Sequence, residues 1–424
     1  MTVLIAGGGI AGMAMALTCH EIGVPFRVFE AVKQIRPLGV GINLQPVAVR
    51  ELEDMGLAGA LEAIGVRTQE VGFYSRHGVE IWTEPRGTWA GYKWPQFSVH
   101  RGELLIMLWE ALKARAGADI VETGWRATGF ANRNGAAVLH LVNEAGETRD
   151  EVGDLVIAAD GIHSAIRAQM QPEEGPPAWG GNILWRGTTQ AKPFKTGGSM
   201  VMIGYSGLRF ISYPISKPDP ETGLATINWI ANLKTDPGEG FKKEDWNRKA
   251  NLDDFLPQYR HFNLDWIDIP GLIEGAEEVL EYPMVDRDPI DRWTEGRVTL
   301  MGDAAHPAYP TGSNGAGSAI LDARRLGAAF LEHGLTQDAL EAYEADMRPV
   351  TAAVTLANRS TGPDSILDIV ERVSGGKNFA HIHEVMSQED LAAHAESYKQ
   401  TAGTSVAAVN ARPRTIAAGA RFRG

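Results

Sequence analysis

Residues 2–6, Thr-Val-Leu-Ile-Ala, are hydrophobic almost without interruption, which predicts a short strand buried on both faces, as in a parallel sheet. Gly7 to Gly9 break the run. Apolar and small residues then continue with helical spacing from Ile10 to about Glu21, and Gly23 closes the segment. Phe26-Arg27-Val28-Phe29 predicts a second strand ending at Glu30. Strand, glycine turn, helix and strand make one βαβ unit. Further on, Val47 to Met55 and Arg101 to Ala116 predict helices, residues 70–82 alternate like antiparallel strands, and 137–143 and 154–159 predict strands.

From about residue 176 to 285 the texture changes. Short β-like runs (Ile183–Thr188, Met200–Ile203, Arg209–Pro214, Ala225–Ala231) alternate with Gly and Pro breaks, predicting a largely antiparallel sheet in a second domain. A buried strand returns at Val298–Met301. Helices are predicted over 316–333, 337–348 (with Pro349 as terminator), 364–373 and 388–400, the last opened by a capping box at Ser387-Gln388-Glu389-Asp390. The final stretch holds Arg412, Arg414, Arg421 and Arg423 with no acid after Glu396, and predicts a loose terminus.

Composition narrows the function. A chain of 424 residues suggests two or three domains. Forty Lys and Arg against 53 Asp and Glu, a net charge of −13, give no global attraction for nucleic acid or an anionic membrane. The single cysteine, Cys19, lies among apolar neighbours and excludes an internal disulfide; a cytoplasmic protein is expected. The apolar stretch Val3–Leu17 has no basic residue before it and four glycines inside it, so neither a signal peptide nor a membrane span is expected.

Three motifs carry chemistry. Gly7-Gly8-Gly9-Ile10-Ala11-Gly12 fits G-x-G-x-x-G between a strand and a helix, with the acid Glu30 at the end of the next strand. The helix start offers N–H groups and a positive dipole end to a pyrophosphate, and an acid there can bind ribose hydroxyls. Asp160-Gly161, followed by Arg167, comes after a second strand; its structural alternative is a capped helix start and a surface ion pair. Gly302-Asp303 follows a third strand and precedes Pro310, Gly312, Asn314 and Gly315 at the start of a helix. A carboxylate there can accept from a polyol, and the helix start can face a ring that gains negative charge. His381-Ile382-His383 lacks metal-site spacing, no P-loop or G-x-S-x-G elbow occurs, and no metal is expected.

In this order the three motifs resemble the single-component flavoprotein aromatic hydroxylases (class A flavin monooxygenases), over about residues 1–360. Arg36-Pro37-Leu38-Gly39-Val40-Gly41-Ile42-Asn43, His100-Arg101-Gly102-Glu103-Leu104, Trp185-Arg186-Gly187 and Tyr282-Pro283-Met284-Val285-Asp286-Arg287 resemble the phenazine and salicylate hydroxylase branch. The resemblance implies an α/β fold: a Rossmann-like FAD-binding domain (1–72, 100–175 and 286–350), an inserted, mainly antiparallel β-sheet substrate domain (73–99 and 176–285), and a helical C-terminus with a loose tail (351–424). It implies that Gly7, Gly9, Ile10, Ala11 and Gly12 hold the FAD pyrophosphate, Glu30 the adenosine ribose, and Gly302 and Asp303 the ribityl chain. Arg101 would reach the phosphate or ribityl region, and Gly39 and Gly41 would let the backbone pass close to the flavin. Pro310, Gly312, Asn314 and Gly315 would stand at the pyrimidine side of the ring, and Asp160 and Arg167 would serve both FAD and NAD(P)H.

The implied activity uses NADH or NADPH and O2 to hydroxylate a small aromatic or N-heteroaromatic substrate through a flavin C4a-hydroperoxide. Candidate catalytic residues are Tyr205, Tyr213 and Tyr309. Arg186 is a candidate for a substrate carboxylate or else a structural ion pair, and Trp185, Phe210 and Trp229 either wall an aromatic pocket or belong to the core. The expected state is a monomer or homodimer. Alternatives within the fold are decarboxylative hydroxylation, a reductase or a halogenase, although W-x-W-x-I-P is absent; outside it stands a non-catalytic flavin-binding module.

Overall fold

A computed structural model describes residues 1–37, 39–235, 249–262, 264–360, 362, 364–401 and 403–423, with nothing stated of the side chains of 360, 398 and 401. Leu38 of the Arg36–Asn43 segment and residues 236–248 of the expected substrate domain lie outside the described residues.

The βαβ unit forms as its pattern requires: strand Val3–Ala6, helix Ile10–Ile22, strand Phe26–Glu30. Val3–Ala6 is buried at all four positions because it lies inside a sheet covered on both faces. That sheet has six strands, in the order Thr294–Glu295, Val298–Leu300, Leu155–Ala158, Val3–Ala6, Phe26–Glu30, Val121–Thr123. All pairs are parallel except the edge strand Thr294–Glu295. Helices Ile10–Ile22, Arg101–Ala116 and Gly315–His333 pack together over one face. The three-stranded antiparallel sheet Trp125–Arg133, Ala136–Asn143, Thr148–Gly153 contributes Phe130, Leu139 and Leu141 to the same core.

A seven-stranded, mostly antiparallel sheet stands beside this unit, ordered Val279–Asp286, Ala178–Ala191, Ala225–Lys234, Leu208–Pro214, Ser199–Tyr205, Glu70–Tyr74, Glu80–Pro85. A small antiparallel sheet of Gly41–Leu44, Phe97–His100 and Gly65–Arg67 lies between the two. Its strands are three or four residues long, too short for an alternation to register in the sequence. Among the described residues no helix is long and apolar enough to cross a membrane.

Two expectations need correction. The helix expected to stop at Pro349 runs from Gln337 to Ser360. Proline removes the N–H that would pair with the carbonyl of Ala345, an exposed residue whose carbonyl water can reach; Thr351 Oγ1 donates to the carbonyls of Met347 (3.0 Å) and Arg348 (3.2 Å) just beyond. The tail is also not loose. Buried Arg50 donates to the carbonyls of Arg412 (3.2 Å) and Pro413 (3.0 Å) and to Thr415 Oγ1 (3.2 Å). Ile416 is buried, and Phe422 N–H donates to the carbonyl of Ile22 (2.7 Å). Arg414 pairs with Asp54 (3.1 Å) and Thr415 Oγ1 donates to Glu51 (2.7 Å), so side chains as well as backbone carbonyls hold the tail to the protein.

Candidate active site

Helix Ile10–Ile22 starts from Gly9 with no side-chain cap and no acid in its first turn, leaving its leading N–H groups without side-chain partners. Gly8 N–H donates to Glu30 Oε2 (2.5 Å) and Val32 N–H to Glu30 Oε1 (2.9 Å), so the acid at the end of the second strand is fixed at the glycine turn. The glycines differ in what they answer to. A Cβ on Gly12 would stand 1.9 Å from the Gly7 carbonyl oxygen, so that glycine is required by the protein's own packing. A Cβ on Gly9 would meet nothing within 4 Å. Gly9 therefore borders open space at the helix start.

A second helix, Gly315–His333, likewise has no side-chain cap and no acid in its first turn. Asp303 lies exposed on the turn Gly302–Ala304, which packs so closely on the first helix that a Cβ at Gly302 would be 2.9 Å from Ala11 Cβ. Asp160 Oδ2 accepts from Ala165 N–H (3.1 Å), while its Oδ1 is buried without a partner. Burial raises this carboxyl's pKa, against the lowering effect of Ser164 and the nearby backbone N–H groups. Two bare helix starts, an acid at the end of the second strand and an exposed acid after the third supply N–H donors for a pyrophosphate and acceptors for ribose and ribityl hydroxyls. This set fits FAD.

Arg167 does not join that set. Its side chain is 1% exposed; Nη1 donates to the carbonyls of Ala304 (3.0 Å) and Ala305 (2.7 Å), Nη2 to the carbonyl of Asp288 (3.1 Å), and Nε to Glu174 (2.8 Å). Each guanidinium nitrogen already has a protein acceptor. The expected contact with FAD and NAD(P)H is replaced by a tie between the Asp160-Gly161 and Gly302-Asp303 segments.

The second half of the site lies on one face of the seven-stranded sheet. Gly41 N–H donates to Asn228 Oδ1 (2.7 Å), and Arg186 Nη2 donates to the Gly41 carbonyl (3.0 Å). Register puts Thr188, Asn228 and Tyr213 in one row, Arg186, Ile230 and Ile211 in the next, and Leu184, Asn232 and Arg209 after that. Side chains alternate along strands, so Trp185, Phe210 and Trp229 point the other way. Trp185 stacks on Phe255 (centroids 4.5 Å apart) and Phe210 packs on Trp229 and Tyr259, all in a second hydrophobic core. These three aromatics do not wall the site. Tyr205 is also outside it, with Arg76 over its ring at 5.7 Å.

Tyr213 and Tyr309 remain on the site face. Tyr213 abuts Gly41, and Tyr309 packs with Leu184, Ile230 and Met284. Burial pushes each hydroxyl up to about 12, so both are protonated at neutral pH. Burial lowers the pKa of Arg186; Tyr213 and Tyr282 work in the opposite sense, and Arg101 adds to the lowering. Arg186 has no carboxylate partner among the described residues, and its Nε is buried without an acceptor. Asn228 Nδ2 is likewise a buried donor without a partner, while Asn43 faces the Tyr213 hydroxyl and acts to lower its pKa against the burial. Asn43 Oδ1 already accepts from Ser98 Oγ (2.8 Å) and Thr68 Oγ1 (3.4 Å). In the sequence Asn43 stands only as the end of the Arg36–Asn43 segment, with no role given, and Asn228 carries no expectation; its available signal is one amide inside the apolar run Ile227–Ala231. An open cleft beside Phe194, Trp266 and Leu272 contains none of the three motifs.

A family model described as FAD binding domain matches residues 1–207 and 274–358. The chain is 40% identical over 361 residues to the phenazine 1,6-dicarboxylic acid hydroxylase PhzS of Lysobacter antibioticus, spanning 84% of this chain and 89% of that one. It is 28% identical over 384 residues to the salicylate hydroxylase of Pseudomonas putida, spanning 84% of each. Among solved structures it is similar to Klebsiella pneumoniae HpxO complexed with FAD and uric acid, with a TM-score of 0.71, 21% identity and 96% of each chain covered; at that identity the likeness speaks for the fold alone.

Proposed function

The chain belongs to the single-component FAD-dependent aromatic hydroxylases, and on that premise we propose that its substrate is an aromatic carboxylate of the phenazine class, hydroxylated on the ring at the expense of NAD(P)H and O2. The observation that carries the substrate class is Arg186. It is a buried guanidinium beside Ile230, Tyr213 and Tyr282, bonded to the Gly41 carbonyl and without a carboxylate partner among the described residues. Such a group favours a bound anion, because the uncompensated charge is costly and a carboxylate can accept from guanidinium in two places. The relative with 40% identity, named for a phenazine dicarboxylic acid, supports the same choice.

When bound, FAD supplies the electron transfer from NAD(P)H and the activation of O2. The chain's residues divide the remaining work. The starts of helices Ile10–Ile22 and Gly315–His333 direct N–H groups and positive dipole ends toward the cofactor's anionic parts. Glu30 and Asp303 accept from its hydroxyls. Asn228 holds the backbone at Gly41, and Arg186 holds the carbonyl of the same residue, so the strand along which the ring would lie is fixed from both sides. Leu184, Ile230, Met284 and Tyr309 keep water from the reacting face. Tyr213, protonated at neutral pH, donates a hydrogen bond to a substrate acceptor.

The test is a screen of the purified protein against phenazine carboxylates, salicylates, phenols and hydroxypyridines. It follows NADH and NADPH oxidation, O2 uptake, peroxide and product mass. A phenazine carboxylate should accelerate NAD(P)H oxidation with little peroxide and give a product heavier by one oxygen. A product that has also lost CO2 would favour the decarboxylative alternative. Stimulation only by uncharged phenols would overturn the carboxylate reading and leave the family assignment standing.

A further inference from the structure

The turn bearing Asp303 is held by side chains from outside it. Gly302 N–H donates to Asp322 Oδ2 (2.9 Å), and His306 Nε2–H donates to the same oxygen (2.7 Å). Asp322 is wholly buried, on helix Gly315–His333, and His306 is 7% exposed. The backbone closes the turn on itself, with Ala305 and His306 N–H groups both donating to the Gly302 carbonyl (2.9 and 2.8 Å). We infer that Asp322 and His306 are a positioning pair that presets the Asp303 turn, and with it the start of helix Gly315–His333, for the cofactor's polyol chain. This inference rests on the FAD reading above.

One carboxylate oxygen shared between a backbone amide and an imidazole fixes the turn relative to the helix that carries Asp322. The two elements that would face the cofactor are thereby held at one spacing before it binds. The groups facing His306 are Asp322, Asp303, Tyr343 (beside the Asp322 carboxylate) and, across the turn, Arg167 on the Ala304 and Ala305 carbonyls. The Trp293 ring covers it at 5.3 Å. Burial alone would favour neutral imidazole; the two aspartates outweigh it, and the pKa of His306 is raised. The charged form therefore persists to higher pH than it would without the two aspartates and is lost as pH rises further.

The experiment strips FAD from wild type and from His306→Gln, His306→Phe and Asp322→Asn, then titrates FAD back by flavin fluorescence, with apoprotein circular dichroism as the folding control. His306→Phe and Asp322→Asn are expected to raise Kd about tenfold or more, while His306→Gln, which keeps an N–H donor for Asp322, stays within about threefold. Wild-type Kd is expected to rise with pH above about 6.5, and His306→Gln to show a flatter profile. An unchanged Kd in His306→Phe, or the same pH profile in His306→Gln as in wild type, would overturn the inference. Should His306→Phe fail to fold, the pH comparison with His306→Gln decides. Failure of wild type to bind FAD would instead overturn the flavoprotein reading.

Discussion

At the scale of single residues the site face carries two buried donors without acceptors, Arg186 Nε and Asn228 Nδ2, both beside the Gly41 backbone. A buried donor of this kind is completed by ordered water or by a bound ligand. Arg186→Met is expected to lower kcat/KM for the preferred carboxylate about 100-fold or more, with apoprotein melting close to wild type. A change below about threefold would remove Arg186 from the reaction. For Tyr213 the expectation runs against a base. With its pKa pushed up to about 12, it does not ionise in the working range, so Tyr213→Phe should slow turnover yet keep every wild-type inflection of the pH–rate profile between about pH 6 and 9. Disappearance of an inflection would restore it as the ionising group. Glu30 and Asp303 could be proposed from the sequence because each stands in a motif with its own chemistry, and Arg186 only from its residue type and the Trp185-Arg186-Gly187 resemblance. The choice between Tyr213 and Tyr205 could not, since it turns on which way a side chain points and that depends on strand register.

At the scale of elements, the βαβ unit and helix Arg101–Ala116 were legible because apolar runs, glycine breaks and helical spacing coincide there. The small three-stranded sheet and the continuation past Pro349 were not, because long-range pairing decides the one and the local rule that proline ends a helix fails for the other. The glycine turn offers a test that separates protein from cofactor. Gly12→Ala should destabilise the apoprotein itself, since the methyl group would collide with the Gly7 carbonyl. Gly9→Ala should leave apoprotein melting within about 1 °C of wild type while weakening FAD binding at least several-fold, because its methyl group enters space bordered by the bare helix start. Equal effects of the two substitutions on the apoprotein would count against open space at Gly9.

At the scale of the whole molecule, the C-terminal tail ties two helices together. It receives Arg50 from Pro46–Asp54 and caps Ile10–Ile22 through Phe422. Truncation after Ala411 would leave the Arg50 guanidinium, now 2% exposed, with Glu51 and without three of its acceptors. Hydrogen bonds to a charged group contribute about 1.5–3 kcal/mol each, so a melting temperature lower by at least about 5 °C is expected. A truncated protein that melts with wild type would mean that the tail only lies along the surface. Of the tail's arginines Arg414 pairs with Asp54, but most of the anchors are backbone groups, which no side-chain pattern reveals.

The alternation along Ala178–Ala191 also bears on how such an enzyme changes over generations. Trp185 and Arg186 are neighbours in the chain yet belong to different compartments, one to structural packing and the other to the reacting face. Point substitutions at positions 184, 186, 228 and 230 can therefore explore new substrates while leaving the second core untouched. A single inserted residue upstream in that strand would exchange the two compartments at once. Innovation by replacement is open on this sheet, and innovation by insertion is confined to the turns between its strands.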